Sequence, residues 1–162
     1  MLYLKPGEIY FGRKHAILRT LLGSCVAVTL WHPSRAVGGM CHVVLPHNPK
    51  AIPGRGGGLE PDPRYADGAV AWLLERVRRL GTWPAGYEVG VYGGGVMFGA
   101  AERRASLDIG RRNVEAVEKA LAASGFRIGE RRVGGEIYRN VTLDLRLGKV
   151  GVIEQSVLVD AS

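Results

Sequence analysis

From residue 141 to 147 apolar and polar positions alternate without a break: Val141, Leu143, Leu145 and Leu147 against Thr142, Asp144 and Arg146. A two-residue period sends successive side chains to opposite faces, so this pattern predicts a half-buried strand. Runs rich in Val, Ile and Leu predict strands over 16–22, 25–31, 37–45, 87–92, 126–133, 136–147 and 149–154. Leu147-Gly148-Lys149 predicts a hairpin turn, and Gly134-Gly135 another. Two stretches switch to the helical period. Val70, Leu73, Leu74, Val77 and Leu80 predict a helix over 63–80, with Asp62 as its cap, Pro63 at its first position and Gly81 as its stop. Val114, Val117 and Leu121 predict a second over 110–124, with Asp108 as cap and Gly125 at its end. Strands and helices in this order predict an α+β fold with a mixed, mostly antiparallel sheet core and two main helices packed outside.

Composition narrows the picture. The chain has 162 residues, 46% of them hydrophobic, enough for one domain over 1–162 with a real core. Its 24 glycines point to tight turns. No run of 18 apolar residues exists to span a membrane, and the first residues lack the pattern of a signal peptide. A cytoplasmic protein without membrane insertion is the expectation. The net charge of +7 invites nucleic acid, but the arginines are spread along the chain with no aromatic-interleaved basic stripe. Nucleic acid is therefore not the expected partner, and the charge suits an acidic one. The segment 46–63 carries five prolines and is long for a structureless connection. It follows a strand that carries a histidine, so it reads as a loop at the rim of a site, or else as a surface excursion without a role.

The candidate chemistry is Cys25 with His42. Cys25 follows Gly23-Ser24 at the start of an apolar run, and His42 lies in the second such run, seventeen positions on. A thiol with an imidazole is the smallest set for a nucleophile activated by a base. The Gly-Ser pair lets the backbone present N–H groups beside the sulfur, so Gly23 and Ser24 are candidates for an oxyanion site. Alternation puts Cys25 on one face with Ala27 and Thr29, and His42 on one face with Met40 and Val44. Cys41 falls on the opposite side and reads as a buried structural thiol. The plainer reading of each is an inert buried cysteine and a satisfied core histidine. If Cys25 is the nucleophile, a thiol of lowered pKa is expected. Gly93-Gly94-Gly95 lacks the Lys-Ser/Thr of a phosphate loop and reads as a tight turn whose backbone lies close to the site. The cysteines and histidines lack the paired spacing of structural zinc, so no metal is expected. His15 and His32 read as surface residues.

These segments resemble the chemoreceptor glutamine deamidases, the CheD family of bacterial chemotaxis. The likeness runs through Gly23 to Val28, Gly38 to His42, Leu45-Pro46, Tyr65-Ala66-Asp67, Gly93 to Phe98, Ile109 to Val117 and Gly134-Gly135, in order. It implies a layered sandwich and a cysteine hydrolase that converts receptor glutamines to glutamate without a cofactor. In that reading Cys25 attacks the amide and His42 moves the proton. Some family members are also credited with methylester hydrolysis. The implied partners are the cytoplasmic helical bundle of a chemoreceptor and a CheC-type phosphatase. The family pattern also implies a threonine six positions before the nucleophile to orient the histidine. Arg19 stands there, and Thr20 one position later. A one-residue slip along a strand reverses a side chain, so Thr20 is the candidate third member if a bulge restores its direction. Ser24, Thr29 or a backbone carbonyl are the alternatives. With Arg19 in the orienting position, the competing reading is an adaptor of the same fold that binds receptor or phosphatase without turnover.

Overall fold

The computed structural model describes residues 1–50, 61–97 and 100–157, with residues 100–107 described in backbone alone. The strands are β1 (Leu2–Tyr3), β2 (Ile9–Gly12), β3 (Ile17–Leu22), β4 (Val26–His32), β5 (Val37–Val43), β6 (Glu88–Gly93), β7 (Ile128–Val133), β8 (Ile137–Asp144) and β9 (Lys149–Ser156). The helices are α1 (Ala66–Arg79) and α2 (Ala100–Ala123). The strands form two sheets, in the orders β1-β3-β8-β9 and β2-β5-β4-β6-β7. Among the described strand pairs, β1–β3 and β6–β7 are parallel and the others antiparallel. The expected α+β layered sandwich is therefore what the chain forms.

Alternation along β4 and β5 explains the layers. Val26, Val28, Leu30, Cys41 and Val43 point to one side, where they join Ala69, Val70, Leu73 and Val77 of α1 with Val117 and Leu121 of α2. Ala27 and Met40 point to the other side, against Leu18, Leu22, Val141 and Leu143 of the four-stranded sheet. Both sides of the central sheet are buried, each against a different layer.

Several local expectations change. β1 and β2 are too short for a periodic signal. The alternating run stops at Asp144, whose carboxylate accepts the Arg146 N–H at 2.9 Å and turns the chain toward Gly148. Gly134-Gly135 makes no hairpin. It carries the chain from β7 in one sheet to β8 in the other. α1 begins after Tyr65, without a side-chain cap, because Asp62 is engaged with the N–H and guanidinium of Arg64. α2 begins at Ala100, well before Gly110, so Asp108 lies inside the helix and pairs with Arg111 and Arg112. Gly110 does not mark a helix start. A Cβ there would lie 2.6 Å from Gly94 O, so this glycine lets α2 press on the Gly93–Gly95 turn. Residues 51–60 of the loop expected at the rim, and Phe98, lie outside the described residues.

Candidate active site

β3 and β4 are consecutive in the chain but belong to different sheets. The link between them is Gly23-Ser24-Cys25, at one end of the sandwich. Cys25 is half-buried and packs on the inter-sheet core, while Cys41 is fully buried on the helix side. In the β4–β5 register Ala27 stands opposite His42, so Cys25 is the diagonal neighbour of His42 on the shared face. The backbone of His42 is held on its other side by the two residues just before β2. Its N–H donates to Glu8 O at 3.1 Å, and its carbonyl accepts the Gly7 N–H at 2.9 Å.

Thr20 arrives from the opposite sheet. Leu18, Thr20 and Leu22 are fully buried. The β3–β8 register runs without interruption from Ile17↔Asp144 to Leu22↔Arg139. No bulge is present, and none is needed. Thr20 Oγ1 lies 2.7 Å from His42 Nδ1 and 2.8 Å from Leu4 O. Arg19 points to the other face of β3, with its Nε enclosed and without a partner. Counting back from Cys25 misplaces Thr20, because strand parity does not carry through a link that leaves one sheet and enters another.

The hydrogen bonds fix the tautomer of His42. Leu4 O can only accept, so the single hydroxyl hydrogen of Thr20 goes there. Thr20 Oγ1 is left to accept from Nδ1–H, and Nε2 carries the free lone pair. Nε2 is buried and without a hydrogen-bond partner. Burial lowers the His42 pKa from 6.5 to about 4, so the ring is neutral at neutral pH. Burial also raises the Cys25 pKa above its ordinary value. The expected thiol of lowered pKa is therefore not what the free site holds: thiol and imidazole are both neutral, and Nε2 makes no hydrogen bond to the sulfur. Cys41, with no such neighbour, is pushed up to about 12 by burial.

The turn itself is tied from behind. Gly23 O accepts the Gly95 N–H and Cys25 O the Gly94 N–H, each at 2.9 Å. The Gly93–Gly95 turn thus packs its bare backbone on the site, and a Cβ on Gly93 would lie 2.1 Å from Cys25 O. Arg139 secures that turn from the four-stranded sheet. Its guanidinium donates to Gly93 O at 3.2 Å, Gly134 O at 2.8 Å and Glu154 Oε2 at 2.9 Å. Asn113 of α2 donates to Ser24 O at 3.2 Å and to Val44 O at 3.0 Å. Neither Asn113 nor Arg139 stands out as a site residue in the sequence. The available signal is that each is a polar residue at an inward position, Asn113 beside Val114 and Val117, Arg139 in phase with Val141 and Leu143. Among the described residues no cluster of three or more His, Cys, Asp or Glu side chains could hold a metal ion.

Residues 45–154 match the family model described as CheD chemotactic sensory transduction. The chain belongs to the CheD family. It is 39% identical over 154 residues to the probable chemoreceptor glutamine deamidase CheD of Pseudomonas fluorescens, with 94% of this chain and 83% of that protein covered. A CheD protein of the same description from Methanococcus maripaludis is 35% identical, over 93% of this chain and 92% of its own length. Among solved structures, the Bacillus licheniformis hypothetical protein YfiH matches with a TM-score of 0.44 and 15% identity, over 78% of this chain and 49% of that one.

Proposed function

We propose that this CheD protein is a cysteine amidohydrolase that deamidates glutamine side chains of chemoreceptors to glutamate. The observation that carries the reading is the Leu4–Thr20–His42 chain of hydrogen bonds, which leaves the Nε2 lone pair free on the face shared with Cys25. A buried, unpaired imidazole nitrogen is unfavourable unless something uses it.

In the proposed reaction the Cys25 S–H proton passes to His42 Nε2 as sulfur attacks the amide carbon. The carbonyl oxygen becomes an oxyanion, held by N–H groups of the Gly23–Cys25 turn. The C–N bond then breaks, and the imidazolium gives its proton to the departing nitrogen, which leaves as ammonia. Water, deprotonated by His42, attacks the thioester, freeing the Cys25 sulfur and a glutamate side chain. Thr20 acts through His42. By accepting from Nδ1–H it keeps the ring in one tautomer and one orientation, and it favours the imidazolium that forms. Arg19 points away, so the objection that a cation sits at the orienting position lapses, and with it the main support for a non-catalytic adaptor.

The site is proposed to work in the cytoplasm on the helical bundle of a receptor. The +7 charge of the chain suits an acidic surface. A CheC-type phosphatase is the second proposed partner. Among the described residues no helix is long and apolar enough to cross a membrane. The test is the intact mass of a receptor cytoplasmic fragment before and after incubation. Each conversion of amide to acid adds about one dalton, and Cys25→Ala should add none. Receptor that is bound by wild type but unchanged in mass would make the protein an adaptor.

A further inference from the structure

The turn that carries Cys25 has its carbonyls committed and its donors free. Gly23 O, Ser24 O and Cys25 O each accept a hydrogen bond, while the N–H groups of Ser24 and Cys25 meet no acceptor among the described residues. No peptide bond described is cis. In a trans peptide the carbonyl of one residue and the N–H of the next point in opposite directions. Whatever holds Ser24 O therefore also aims the Cys25 N–H. What holds Ser24 O is the side chain of Asn113, reaching from α2.

Ser24 O needs this partner because the sheet opens here. The last rung of β4–β5 is Val26↔Val43. Beyond it the N–H groups of Val44 and Leu45 both turn to Arg64 O, at 2.8 and 3.1 Å. Asn113 fills the gap with its two N–H hydrogens, one to Ser24 O and one to Val44 O, two residues past His42. One amide thus ties the turn that bears the thiol to the strand that bears the imidazole. The amide is fully buried, and its own Oδ1 has no partner. An enclosed, unpaired acceptor destabilises the fold, so packing alone favours an apolar side chain here. The two donors are what the position uses.

We propose that Asn113 is a positioning residue for acyl chemistry at Cys25: it orients the Ser24–Cys25 peptide so that its N–H faces the developing oxyanion. This rests on the deamidase reading for its natural substrate, but not for its test. Alkylation of Cys25 by iodoacetamide needs the thiolate and no oxyanion site. Acylation by p-nitrophenyl acetate needs the same thiolate and does develop an oxyanion. Asn113→Ala should slow the p-nitrophenolate burst, and kcat on receptor, by roughly 10-fold to 10²-fold, with KM little changed. Its alkylation rate and the pH dependence of that rate should stay within about two-fold of wild type. In Asn113→Asp, burial keeps the carboxylic acid protonated, and its single O–H can serve one of the two carbonyls. That variant should fall between wild type and Asn113→Ala in acylation, again with unchanged alkylation. If Asn113→Ala loses its cooperative melt, Asn113→Asp carries the same comparison. Acylation and alkylation that fall together, or acylation at the wild-type rate in either variant, would overturn the proposal. Wild type that leaves receptor mass unchanged defeats the deamidase reading instead, and the ratio of acylation to alkylation still decides the role of Asn113.

Discussion

The two faces of the five-stranded sheet bury cysteines of very different prospects. Toward the helices, Cys41 lies among Val26, Val28, Val43, Val70 and Leu73. Toward the four-stranded sheet, Cys25 shares its layer with His42, Thr20, Thr29 and Arg139, four of the buried polar side chains of the molecule. Both thiols are pushed up by burial. The difference is in what each can meet. Around Cys41, α1 presents the apolar stripe of Ala69, Val70, Leu73 and Val77, which asks only for apolar partners. Two facing sheets present side chains from independent strands, so a threonine from one can reach a histidine from the other. Polar groups enter a core when each finds its complement, and here the complements came from separate sheets.

The comparison breaks most easily at His42. His42→Ala should slow ammonia release from receptor by roughly 10²-fold or more while the protein still binds receptor. A variant near the wild-type rate would return the inter-sheet face to the same inert status as the helix face. Thr20 comes next. Thr20→Ala frees the imidazole to turn, which should lower kcat by roughly 10-fold to 10²-fold, with Thr20→Ser recovering most of it. Arg19→Ala, on the outward face of the same strand, should change the rate by no more than about two-fold. Equal losses at the two positions would mean that strand stability, not orientation, is being measured.

A pH scan sharpens the contrast. The folded pKa of His42, about 4, lies below its ordinary 6.5, so between these values the unfolded chain takes up a proton that the native protein refuses. Stability is therefore full above about pH 6.5 and declines as pH falls toward 4. The melting temperature should follow that decline in wild type, and the His42 contribution to it should vanish in His42→Ala. The smallest effect belongs to the helix face. Cys41→Ala should leave turnover unchanged and cost about 1 kcal/mol of stability by chemical denaturation, the loss expected for one buried heavy atom. Iodoacetamide should label Cys25 in the folded protein and Cys41 only after unfolding.

What the sequence determined by itself is whatever repeats along the chain with a local period. Alternation assigned Cys25 and Cys41 to opposite faces, placed the Val70–Val77 stripe on α1, and marked most of the strands, because strand and helix geometry act over neighbouring residues. The motif around Gly23-Ser24-Cys25 and His42 is short and local, and the family was legible through the resemblance of such segments, in order, to the CheD proteins. Tertiary structure decided everything that depends on which strand faces which. Thr20 could not be assigned by counting from Cys25, since the count passes through a link between sheets, where the two-residue period has no meaning. Gly110 reads as a helix boundary in the sequence, but it lies inside α2, where its missing Cβ admits the Gly93–Gly95 turn. Asn113 and Arg139 are single polar letters in apolar stripes. Their partners Ser24 O, Val44 O, Gly93 O and Gly134 O are all backbone atoms, and all but Gly134 O belong to distant segments. A carbonyl has no signature in the sequence, so a side chain that serves one can be recognised only once the chain has folded around it.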